Sequence, residues 1–115
     1  MAIQVITSKP EILLEDIKYL IKSGKIDTWL YDEDGDFTHC ADQWNKVAWF
    51  RPVCYRDRII FNIVGHKGVN ISIDEYSIYH GRFIEMLVKN YLYKVISISI
   101  LRPLDNNNES DKIDF

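Results

Sequence analysis

Apolar and polar residues alternate at the start of the chain, Ile3 and Val5 against Gln4, and this period of two predicts a short strand over Ala2–Thr7. The period then changes. Leu13, Ile17, Leu20 and Ile21 recur at helical spacing, with Glu15, Lys18 and Lys22 elsewhere on the wheel, so a helix is expected over residues 9–23. Ser8 and Glu11 have the spacing of a capping box, Pro10 suits the first turn, and Gly24 suits the left-handed conformation that ends a helix.

Four strands are expected next. Asp27–Tyr31 leads into Asp32-Glu33-Asp34-Gly35-Asp36, and Asp-Gly between Trp29-Leu30-Tyr31 and Phe37-Thr38 is a hairpin signal. Val47–Val53 reads as a strand whose end, at Pro52, lies at an edge. Arg58–Val64 alternates Ile59, Phe61 and Ile63 with Ile60 and Asn62. A second capping box, Ser72 with Glu75, opens a helix over 73–90 whose buried stripe holds Tyr76, Tyr79 or His80, Phe83, Leu87 and Tyr91. Gly81 within it is expected to permit close packing against the sheet. Val95–Leu101 closes the series, with Ile96, Ile98 and Ile100 on one face.

The expected order is therefore β-α-β-β-β-β-α-β. It predicts a single α+β domain over 1–104: a mostly antiparallel sheet with two helices packed on it. Hydrophobic residues make up 47% of the 115, enough for one core and no second domain. Residues 105–115 are rich in Asn and Asp, too polar to offset ordering entropy, and are expected to form a disordered acidic tail.

Charge changes the picture less by its sum than by its placement. The net charge of −3 is carried by the tail, which leaves residues 1–104 balanced and argues against direct binding of nucleic acid through broad positive charge. Within the domain, residues 27–42 hold Asp27, Asp32, Glu33, Asp34, Asp36 and Asp42 with no Lys or Arg. Residues 43–67 hold Lys46, Arg51, Arg56, Arg58 and Lys67 against Asp57 alone. Trp29, Trp44 and Trp49 run through the same region, and acids beside aromatics suit a protein interface. Asp32, Glu33, Asp34, Asp36, Asp42 and Trp44 are the expected partner contacts. The competing reading is that these charges pair across neighbouring strands.

Candidate chemistry is sparse. Tyr31-Asp32-Glu33-Asp34 superficially resembles the first motif of haloacid-dehalogenase-type phosphatases, but strands follow where that chemistry needs a crossover helix and a parallel core. His39, Cys40, Cys54 and His66 match no zinc-ligand spacing, so no metal and no cofactor are expected. The most site-like cluster is His80 and Arg82 with Glu85, an alternative site for a small metal-independent enzyme with histidine as base and arginine as anion ligand.

No basic-then-apolar leader precedes the first strand and no apolar run approaches a membrane span, so a cytoplasmic protein with free thiols, not membrane-bound, is expected. Ile, Asn, Lys and Tyr are abundant while Ala occurs only at Ala2, Ala41 and Ala48, a bias expected of an AT-rich gene. In size, this bias and its lack of a catalytic motif, the chain resembles immunity proteins of contact-dependent growth inhibition systems. That resemblance implies a bacterial protein that neutralises a cognate toxin, commonly a nuclease, by covering its active site or substrate-binding surface. A regulatory subunit that pairs through a sheet edge is the third reading.

Overall fold

A computed structural model describes residues 2–102 and 113–114. The elements run β1 (Ala2–Ile6), α1 (Pro10–Lys22), β2 (Trp29–Tyr31), β3 (Phe37–His39), β4 (Trp49–Cys54), β5 (Arg58–Val64), β6 (Ile71–Ser72), α2 (Ile73–Tyr91), β7 (Ser97–Leu101) and β8 (Ile113–Asp114). This is the expected order, with the two-residue strands β6 and β8 added as a small parallel pair. Apart from β8, the expected tail lies outside the described residues.

The main sheet has six strands in the order β2-β3-β4-β5-β1-β7, antiparallel throughout. Burial follows the pleat. Ile3 and Val5 on β1 and Ile59, Phe61 and Ile63 on β5 are fully buried, and they form one cluster with Leu13 and Ile17 of α1 and Tyr79, Phe83 and Leu87 of α2. Both helices therefore cover the same face. The opposite face is mixed: the register sets Ile6 against Arg58, Gln4 against Ile60, and Arg51 against Asn62. Pro52 is tolerated because β4 pairs with β3 only at Phe37–Phe50, which leaves the Pro52 stretch with a ladder partner on the β5 side alone.

The start of α2 follows from local sequence. Ser72 Oγ accepts from the Glu75 amide at 3.1 Å while the Glu75 carboxylate accepts from the Ser72 amide at 2.9 Å, completing the capping box. The stripe Tyr76, Tyr79, His80, Phe83, Met86, Leu87 and Tyr91 is buried.

Three expectations are corrected. The Ser8–Glu11 box does not form: Pro10 takes the first helical position, which makes Lys9 the cap, and no side chain caps this end. The last strand begins at Ser97 and not at Val95: Ile96 precedes it and is 74% exposed, while Ile98 within it is half-buried. Gly81 does not approach the sheet. It faces solvent on α2, and a Cβ built there meets nothing within 4 Å.

Gly81→Ala is accordingly expected to raise unfolding free energy by about 1 kcal/mol, the helix-propensity difference with no steric penalty. Chemical denaturation checks this, and a loss of stability would show that Gly81 has a packing role.

Candidate functional site

The acidic hairpin is built from its backbone outward. Gly35, at φ +82°, closes the turn by donating to the Asp32 carbonyl at 3.0 Å, and Asp32 donates to the Asp36 carbonyl at 3.0 Å. The Asp32 carboxylate then folds inward, with Oδ1 accepting from the amides of Asp34 and Asp36 at 3.0 Å each. Asp36 is buried, and Arg51 of β4 grips it with Nη2 at 2.8 Å from Oδ2 and Nε at 3.2 Å from Oδ1. This pairing, by hydrogen bond first and charge second, holds the Arg51 guanidinium above its ordinary pKa. The acidic and basic blocks of the sequence thus meet across neighbouring strands at this point. Carboxylate oxygens of Asp32, Asp34 and Asp36 lie within 4.8 Å of one another, but turn amides and Arg51 already engage two of the three groups. Asp32, Glu33 and Asp34 remain exposed.

Asp42 and Trp44 do not join this cluster. They sit in the connection from β3 to β4, while the acidic turn lies at the start of β3, so the strand separates the two groups by on the order of 10 Å. That connection is firmly held. Thr38 Oγ1 donates to the Ala48 carbonyl at 2.9 Å and accepts from the Lys46 amide at 3.0 Å, and the Tyr79 hydroxyl donates to the Trp44 carbonyl. Lys46 takes a left-handed φ of 57°, and its carbonyl lies 2.7 Å from His66 Nε2. Trp44 is half-buried against the core, and Trp29, expected at an interface, is the largest fully buried side chain.

The alternative trio is also divided. His80 and Arg82 are two residues apart on a helix and point to different sides. His80 is buried, stacked on Tyr76 at 3.9 Å between ring centroids and edge-on to Phe50 at 5.0 Å. Its Nδ1 donates to the Tyr76 carbonyl at 2.8 Å, so the proton is on Nδ1, and the buried Nε2 lone pair has no partner among the described residues. Burial lowers its pKa to about 3, which keeps the ring neutral and removes it as a solvent-facing base near neutral pH.

Arg82 and Glu85 lie on the outer side of α2 and meet a different histidine. They line a cleft of about 80 Å³ with His39, Asp27 and Lys89. His39 Nδ1 accepts from the Ala41 amide at 3.0 Å, which places the proton of the neutral ring on Nε2. Burial, then the Arg82 charge, pushes the His39 pKa down, and Glu85 opposes the shift. His39 was open to detection in the sequence. Counting outward from the Asp32–Asp36 turn pairs Tyr31 with Phe37 and Trp29 with His39, which puts His39 on the apolar face beneath α2.

Comparison with protein-family models, curated proteins and solved structures returns no match, so function rests on these side chains.

The buried His80 predicts a pH signature. Its proton binds the unfolded chain below about pH 6.5 but the folded chain only near pH 3. The stability contributed by the neutral ring is therefore full above pH 6.5 and is lost as pH falls toward 3, at up to about 1.4 kcal/mol per pH unit. His80→Phe keeps the stacking on Tyr76 and removes the titration. Its unfolding free energy should stay within about 1.5 kcal/mol of the parent at pH 7 and gain on it steadily at lower pH. Parallel curves would mean that His80 is protonated inside the fold.

Proposed function

We propose that this chain is an inhibitor-type binding protein of the toxin/immunity kind, whose acidic hairpin docks on a basic surface of a cognate protein. The observation that carries this reading is the exposed carboxylate tip Asp32-Glu33-Asp34 on a turn braced by its own backbone and by Asp36–Arg51. A tip held this way loses little conformational entropy on docking. Arg51 offsets Asp36, and among the described residues no cation forms a salt bridge with Asp32, Glu33 or Asp34. Clustered negative charge on a fixed scaffold complements a surface evolved for phosphate, as a nuclease toxin presents, and speeds encounter through electrostatic steering. Asp42 and half-buried Trp44, at the far end of β3, belong to a second contact reached only by a broad partner.

A cytoplasmic site of action suits the two free thiols, Cys40 and Cys54. No helix among the described residues is long and apolar enough to cross a membrane.

A second reading is favoured by one observation, the convergence of His39, Arg82 and Glu85 on a single cleft. There His39 Nε2–H and Arg82 would face a small anionic substrate, and the enzyme reading passes from His80 to His39.

The contacts of the hairpin decide which substitutions separate these readings. Reversing Asp36 would strand Arg51, and reversing Asp32 would open the turn, so Glu33→Lys with Asp34→Lys is the clean pair. The expected result is an unchanged melting temperature, affinity for a co-captured basic protein weakened at least about tenfold, and loss of protection when that protein is co-expressed. His39→Ala with Arg82→Ala should leave protection intact. Unchanged affinity in the first pair rejects the acidic-tip mechanism. Loss of protection with retained binding in the second establishes the enzyme reading.

A further inference from the structure

The two edges of the main sheet are treated differently. At one edge, β2 is three residues long and runs directly into the acidic turn, so its free backbone is short and flanked by charge. At the other edge, β7 spans five residues, Ser97-Ile98-Ser99-Ile100-Leu101, with neither a charge nor a proline before Arg102 and Pro103, and among the described residues it has a ladder partner, β1, on one side only. Soluble proteins commonly protect such an edge with lysine, proline or a bulge, because unpaired amides and carbonyls template further pairing.

Large apolar side chains are exposed beside β7 as well. Tyr93 is 96% exposed, Ile96 74% and Ile12 64%. Ile12, Leu13, Tyr93 and Ile96, together with Lys9, Asp16 and Lys94, line an open groove of about 460 Å³ between the start of α1 and the segment leading into β7.

The sequence of β7 indicates what covers it. The strand is nearly symmetric about Ser99. If two copies pair antiparallel about a two-fold axis through Ser99, each Ile98 lies opposite Ile100 of the second copy, Ser99 faces its own equivalent, and Ser97 faces Leu101. The register with β1 sets Ile98 beside Val5 and Ile100 beside Ile3, on the face that the helices cover. A two-fold perpendicular to the sheet keeps the helices of both copies on that same face. An uncharged strand offers nothing to steer a charged partner, whereas a second copy satisfies both the backbone and the side-chain pattern.

We infer that β7 is the interface of a homodimer in which two six-stranded sheets join, β7 to β7 in antiparallel register centred on Ser99, into one continuous sheet. The acidic hairpins then project from opposite ends of the assembly, since β2 and β7 are opposite edges of each sheet.

Light scattering on the full chain across a concentration series tests this. The expected mass is twice the monomer's 13.6 kDa. Ser99→Lys puts like charges opposite each other at the axis and should weaken association more than about tenfold, with an unchanged circular dichroism spectrum. Ser99→Cys should cross-link under mild oxidation, because facing residues of an antiparallel pair lie within disulfide reach. Ser97→Cys, displaced from the axis, and the parent with its native Cys40 and Cys54 should not. A monomer at every concentration, a dimer that survives Ser99→Lys, or Ser97→Cys cross-linking as readily as Ser99→Cys would overturn the inference.

Discussion

Phe83 is the side chain on which the rest of the molecule turns. Its ring centroid lies 4.9 Å from Trp29, 5.9 Å from Phe37, 4.8 Å from Phe50 and 4.8 Å from Phe61, so one residue of α2 touches β2, β3, β4 and β5. Trp29 meets Phe83 edge-on, the geometry that aromatic quadrupoles favour. Each ring of this cluster removes a large apolar area from water. Because β2 and β3 are only three residues long, ladder hydrogen bonds alone hold them weakly, and the aromatic cluster fixes their position.

Seating Phe83 fixes the rotation of α2 about its axis, and that rotation sorts the polar residues. His80, one turn earlier, is carried into the core, where burial keeps it neutral. Arg82 and Glu85 are carried outward to the His39 cleft. Tyr79, on the buried side, reaches the β3–β4 connection and bonds the Trp44 carbonyl, so the same rotation anchors the loop that bears Asp42. The acidic hairpin depends on the cluster through Phe37, which continues directly from Asp36 and is fully buried.

Much of this was legible in the chain because periodicity reports burial. Arg58–Val64 alternates cleanly and is β5 to the residue, and Ser72 with Glu75 forms both bonds of its capping box. The misreadings have local physical causes. Ser8 and Glu11 had the right spacing, but Pro10 claims the first helical position and shifts the cap to Lys9. Gly81 shares the wheel position of Asp74, Ser77, Glu85 and Val88, all exposed, so its solvent exposure followed from the same periodicity that placed Phe83. The candidate site was less legible. Linear proximity grouped Asp42 with the acidic hairpin and His80 with Arg82, whereas a strand separates the first pair and half a helical turn the second. His39 was weighed only as a metal ligand, because its place beneath α2 follows from counting the hairpin register outward from the turn and not from ligand spacing.

The central claim is that the Phe83 cluster unites helix, sheet and site in one cooperative unit. Phe83→Ala tests it most directly, with urea denaturation followed by far-ultraviolet circular dichroism and by tryptophan fluorescence. The account predicts a loss of about 3–5 kcal/mol, with both probes reporting one coincident transition. A loss below about 1 kcal/mol, or α2 melting ahead of the environment of Trp29, would contradict it.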